Sequence, residues 1–91
     1  MTTKTLAKNI ANLTFTKKAH DVIIMDLKKL TDVADYFILC SGDSDTQVKA
    51  IADAVLDGAG KNGFDAWRTE GFAQRQWIIL DYVDVVVHVF Q

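Results

Sequence analysis

The chain has no proline and a single cysteine, and no apolar run long enough to cross a membrane. Disordered linkers and tails draw heavily on proline and low-complexity sequence, so their scarcity argues against such segments. One thiol, Cys40, cannot close an internal disulfide and fits a reducing, cytoplasmic setting. A spanning helix needs about 20 consecutive apolar residues, and the N-terminus shows no apolar core of a secretory leader. An excess of positive charge is missing too. Ten Lys and Arg against twelve Asp and Glu leave a formal net charge of -2, with the basic residues scattered along the chain. Nucleic-acid backbones are held by clustered Lys and Arg, so this balance argues against such a partner. A mildly acidic surface is better matched to a basic protein.

What is present is organised around one stretch, Trp77 to Phe90, near the C-terminal end. Two alternating runs rich in β-branched and aromatic residues flank a short polar centre, which predicts a β-hairpin. With Tyr82 and Val83 as a two-residue loop, Asp81 would oppose Asp84, Ile79 would oppose Val86 and Trp77 would oppose His88. One face then carries those side chains. The other carries Ile78, Leu80, Val85, Val87 and Val89 and belongs to the core.

The rest of the chain supplies one domain over residues 1–91, large enough for a single two-layer core. Leu6, Ala7, Ile10 and Leu13 recur at helical spacing, predicting an amphipathic helix over 3–13. Asp21 to Asp26 is a compact apolar run between acids, expected to be a strand buried on both faces. A second strand is expected over Tyr36 to Ser41. Ser44 with Gln47 three residues on is a capping-box pattern. Val48, Ile51, Ala52, Val55, Leu56 and Ala59 then keep a helical rhythm that Gly58, Gly60 and Gly63 are expected to end. Phe64 to Thr69 reads as a third strand, and Gly71 to Arg75 as a loop. The order is αββαβββ, a two-layer α/β sandwich with one mixed five-stranded sheet and helices mainly on one face.

Three groups invite chemistry. Ser41-Gly42-Asp43-Ser44-Asp45 joins a strand to a helix start, where free backbone N–H groups can hold an anion. Asp43 and Asp45 oppose that, and neither a P-loop nor a dinucleotide fingerprint fits, so a capped helix start is the simpler reading. Asp81 and Asp84 offer hard oxygen ligands, but no third carboxylate is obviously placed with them and turn acids usually form turns. His88 has no nucleophile to serve, since Cys40 lies in an apolar strand where thiols are normally inert. Trp67, near Phe64, reads as a core residue. Trp77, on the mixed face of the hairpin, reads as an interface residue.

The stretches Asp21 to Leu27, Thr31 to Gly42, Gln47 to Asp53, Glu70-Gly71, Trp77 to Tyr82 and Asp84 to Phe90 resemble the ribosomal silencing factor family, also called Iojap-like. The likeness spans nearly the whole chain, and its W-x-x-x-D…D-V-V-V-H-V-F signature is specific. The resemblance implies a nucleotidyltransferase-like α/β sandwich without the transferase's catalytic set, usually a homodimer, and no enzymatic activity, metal or cofactor. It further implies a repressor of translation that binds the large ribosomal subunit through ribosomal protein number fourteen, at the intersubunit face, and blocks subunit joining. Thr46 stands where the family usually has a basic residue, and Val83 where it has a turn glycine. Relatives also continue beyond the position of Gln91.

The partner-binding residues expected on this basis are Trp77 as anchor, His88, Asp84 and Asp81 as polar contacts, and Ile79 and Phe90 as apolar area. The alternative is a minimal metal-dependent nucleotidyltransferase using Asp81, Asp84 and the Ser41-Gly42 turn. A third reading gives the mixed face to a homodimer.

Overall fold

A computed structural model describes residues 2–91. The first helix, α1, covers Thr3–Phe15 and buries Leu6, Ala7, Ile10 and Ala11 along one side. The Thr2 side chain caps it by accepting from the Thr5 N–H at 3.1 Å. The second helix, α2, covers Asp45–Lys61 and buries Val48, Ile51, Ala52, Val55 and Ala59. Ser44 Oγ accepts from the Gln47 N–H at 3.1 Å, as the capping pattern predicts. The return bond is different. Gln47 Oε1 accepts from Asp43, one residue before the cap, while its amide nitrogen donates to the Lys17 and Lys18 carbonyls. One side chain thus ties the turn after α1 to the start of α2.

Both helices close with the same device. Phe64 N donates to Ala59 O at 2.9 Å and Gly63 N to Gly60 O at 3.0 Å, with Gly63 at φ +86°. Ala19 N donates to Thr14 O and Lys18 N to Phe15 O, with Lys18 at φ +62°. These are paired Schellman bonds, which satisfy carbonyls that a helix end leaves free. Of the three glycines expected to end α2, only Gly63 does so. Gly58 and Gly60 lie within it, and a Cβ on Gly58 would run into the Leu13 side chain, so this glycine lets the helices approach closely.

Five strands form one mixed sheet: β1 His20–Asp26, β2 Tyr36–Ser41, β3 Arg68–Glu70, β4 Trp77–Asp81 and β5 Val85–Phe90. Their spatial order is β1-β2-β5-β4-β3, with β2 and β5 parallel and every other pair antiparallel. Registers on the covered face stack Cys40, Val89 and Ile78 in one row and Ile38, Val87 and Leu80 in the next. These six are fully buried with Ile10, Val48, Ile51 and Val55 of the helices. Burying one such side chain contributes roughly 1.5–3 kcal/mol, so this layer dominates the stability. Both helices pack on this face, and the opposite face is left without a covering layer.

Three expectations need correction. The first strand is not buried on both faces. Ile23, Ile24 and Met25 are exposed because β1 is an edge strand and the helices shield only one side. The third strand is the short Arg68–Glu70 rather than Phe64 to Thr69. The hairpin register is displaced by two residues: Asp81 faces Val86, Ile79 faces His88 and Trp77 faces Phe90. The loop proper is Val83-Asp84, closed by Tyr82 N to Val85 O at 2.8 Å. Asp84 N bonds Tyr82 O at 2.9 Å around Val83, which adopts φ +72° despite its β-branch. Asp81 Oδ1 holds this γ-turn by accepting from the Val83 N–H at 2.8 Å. Asp81 and Asp84 are therefore not cross-strand partners.

Candidate functional site

A sheet face with no helix over it must meet water with whatever side chains alternate outward. Here they are largely apolar. β1 supplies Ile23 and Met25, β2 Phe37 and Leu39, β5 Val86, His88 and Phe90, and β4 Trp77 and Ile79. Ile23 and Trp77 are each 51% exposed, far above the buried core. Contiguous exposed apolar area of this kind is characteristic of interaction surfaces.

Its centre is an aromatic cluster. The Trp77 ring stacks on Phe90 at 5.6 Å and on His88 at 5.9 Å, and His88 lies 4.8 Å from Phe37 in a tilted contact. Such offset pairs add about 0.5–1.5 kcal/mol beyond their buried area. Trp77 Nε1 donates to His88 Nδ1 at 3.1 Å. Indole nitrogen can only donate, so Nδ1 must accept and the His88 proton sits on Nε2. That Nε2 is buried without a partner among the described residues. Burial also holds the His88 pKa below its ordinary value.

Two backbone features place Trp77. Gln91 N donates to Gln76 O at 2.9 Å, continuing the β4–β5 ladder past Trp77. Gly71, at φ +91°, lies so close that a Cβ there would strike the Trp77 carbonyl. Only glycine fits both the conformation and the space.

The carboxylates lie elsewhere. Four residues of strand, roughly 13 Å at about 3.3 Å each, separate Trp77 from Asp81. Asp81 pairs with Arg68, its Oδ2 lying 3.5 Å from Nε, and lines an open groove of about 240 Å³ with Val33, Trp67 and Val83. Trp67 is 68% exposed there, with the Arg68 guanidinium 5.2 Å from its ring centre. It is not a core residue as expected, because its strand begins only at Arg68 and its side chain projects beyond the sheet. Asp84 is exposed at the turn, where its carbonyl accepts from the Asp35 and Tyr36 N–H groups. Of the six expected partner-binding residues, Trp77, Ile79, His88 and Phe90 come together. Asp81 shares their face at its far end, and Asp84 lies outside it.

The arrangement does little chemically. Ser41 is level with Phe90 and Asp81 with Val86, so the Ser41-Gly42 turn and the acids lie at opposite ends of the sheet. Asp43 is engaged by His20, whose Nε2 lies 2.8 Å from Oδ1, and Asp21 binds the other ring nitrogen at 3.0 Å. Those hydrogen bonds, Asp21 first, raise the His20 pKa. No group of three or more His, Cys, Asp or Glu suited to a metal ion occurs among the described residues. Cys40 is buried in the core layer, and desolvation pushes its thiol up to about 11, where little thiolate forms. No described helix is long and apolar enough to cross a membrane.

Sequence reasoning missed the β1 and β2 contributions, Ile23, Met25, Phe37 and Leu39. Their alternation with inward residues was visible, but not which of the two faces the helices would leave open.

Comparison with known proteins agrees with the fold and the signature. A family model described as "Ribosomal silencing factor during starvation" matches residues 1–91. The ribosomal silencing factor RsfS of Bacillus subtilis is 42% identical over 90 residues, covering 99% of this chain and 76% of that protein. The chloroplastic protein Iojap of Zea mays is 30% identical over 73 residues, 80% of this chain and 32% of that protein. A crystal structure of a Chromobacterium violaceum protein superimposes with a TM-score of 0.96 at 34% identity, covering 99% of this chain and 75% of that one. One from Bacillus halodurans superimposes with 0.91 at 36% identity, covering 97% and 82%.

Proposed function

This chain belongs to the ribosomal silencing factor family, and from that premise we propose that it represses translation by docking on the large ribosomal subunit through the uncovered face of its sheet. The partner is ribosomal protein number fourteen at the intersubunit face, and the bound domain obstructs the small subunit sterically. Such a role needs neither cofactor nor bond-making step, and it operates in the cytoplasm. The observation that carries the reading is the half-exposed Trp77 stacked on His88 and Phe90, at one end of apolar area that no helix covers. A rigid aromatic ringed by apolar neighbours is the usual form of an interface hot spot. Arg68 and Asp81, paired at the rim, suit a border better than an anchor.

The test is co-sedimentation with purified large subunits. Trp77→Ala is expected to weaken binding at least about tenfold, since truncating a hot-spot aromatic costs roughly 2 kcal/mol or more. Undiminished binding by a folded Trp77→Ala protein refutes this placement.

A second reading, homodimerisation through the same region, is favoured by the free edge of β1, where Ile23, Ile24 and Met25 are exposed. Light scattering separates the two. If Trp77→Ala halves the mass in solution yet still sediments with the subunit, the face belongs to the dimer.

A further inference from the structure

We infer that His88 is the positioning residue of this surface: its neutral ring locks the Trp77 indole in place, so that the partner meets the π-face of Trp77 and not its N–H. The inference rests on the docking reading above and specifies the chemistry of the contact. The indole has one donor, and it is spent on His88 Nδ1 at 3.1 Å. Phe90 stacks on one side of the pair and Phe37 closes the other side of the imidazole. Trp77 nonetheless stays 51% exposed. What it offers is a fixed ring face with no free hydrogen bond. A guanidinium or ammonium group, or an aliphatic stem, is recognised by such a face, whereas a carbonyl seeking a donor is not. Pre-setting the ring also removes rotamer entropy that docking would otherwise have to spend.

The lock works only while His88 is neutral. Protonation puts a hydrogen on Nδ1, which then confronts the indole N–H donor to donor, and Nε2 is already without an acceptor. Nothing adjacent favours the charged form. The side chains facing His88 are Phe37 and Leu39 of β2, Ile79 and Trp77 of β4, and Val86 and Phe90 of β5, all uncharged. Titratable groups register on this face only further out: Arg68 and Glu70 on β3, Asp81 at the end of β4, and His20 at the end of β1. Burial acts in the same direction, lowering the His88 pKa.

The test uses the full chain, nitrogen-labelled, with three variants. The Trp77 indole N–H resonance of the unmodified protein is expected to be protected from solvent exchange and to lose protection in one acid step. His88→Asn keeps an acceptor near the Nδ1 position and is expected to retain protection without the acid step. His88→Phe keeps the stacking but no acceptor, freeing the indole, and is expected to bind large subunits about fivefold more weakly, the scale of one lost neutral hydrogen bond. His88→Asn is expected to restore most of that binding. A freely exchanging indole N–H in the unmodified protein overturns the inference, whatever the ribosome does. Trp77→Ala weakening binding while His88→Phe does not overturns the inference and leaves the docking reading standing. Unchanged binding by both overturns the docking reading and the inference with it.

Discussion

Gly71 and Gly63 form a matched pair that tests how Trp77 is held. Both occupy the left-handed region, at φ +91° and +86°, so Ala at either site incurs the same conformational cost of about 1–2 kcal/mol. They differ in space. A Cβ at Gly63 meets nothing within 4 Å, whereas one at Gly71 collides with the carbonyl oxygen of Trp77 and presses on the Ile78 Cα. Those are backbone atoms of β4 and cannot swing aside. The β3–β4 connection must shift, and β3 pairs with no strand but β4, through three residue pairs. Gly63→Ala is therefore expected to cost about 1 kcal/mol and Gly71→Ala about 3–4 kcal/mol, the range of forced backbone strain added to lost packing. Against a total of roughly 5–14 kcal/mol for a chain of this length, the second change is large but survivable. Urea denaturation followed by tryptophan fluorescence measures both. Equal losses within about 0.5 kcal/mol, the usual limit of additivity between such measurements, would refute the steric argument. Because the collision is with Trp77 itself, Gly71→Ala is also expected to weaken large-subunit binding, and Gly63→Ala is not.

Two further outcomes follow from the turn and the histidines. Val83 holds φ +72° with a β-branched side chain, so Val83→Gly is expected to stabilise the protein by about 1 kcal/mol, strain relief exceeding the added chain entropy. A lower urea midpoint for Val83→Gly would show that the turn carries no strain. His20 has a raised folded pKa through Asp21 and Asp43, so its contribution is fully present below the unfolded value of about 6.5 and fades as pH rises through the folded one. His88 has a lowered folded pKa, so the unfolded chain binds the extra proton as pH falls below about 6.5 and the folded state loses stability there. Removing each ring separately, as His20→Gln and His88→Phe, is expected to change the stability profile in opposite senses and in adjoining windows: His20→Gln abolishes the stability gained as pH falls towards about 6.5, and His88→Phe abolishes the loss that sets in below about 6.5. Parallel profiles for the two variants would contradict this assignment.

Much of this protein was legible because strand periodicity is coarse and robust. The hairpin faces of β4 and β5 were assigned correctly although their register was off by two, since a slip of two residues leaves every side chain on its own side. The α2 start was legible from Ser44 and Gln47, because a cap acts within one turn. The family signature around Trp77 and His88 placed the chain among the ribosomal silencing factors for the same reason: it is a local pattern. What the amino-acid order could not carry was anything set by packing between distant segments. An apolar run such as Val22 to Met25 reads alike in a central strand and at an edge, and only the sheet order made β1 an edge. Trp67 reads as core beside Phe64 until the strand is seen to begin one residue later. The register of the hairpin was decided by Val83 accepting a left-handed conformation under the hold of Asp81. The open face itself exists because both helices lie on the same side of the sheet, and helix placement is a balance of long-range burial that no local pattern records.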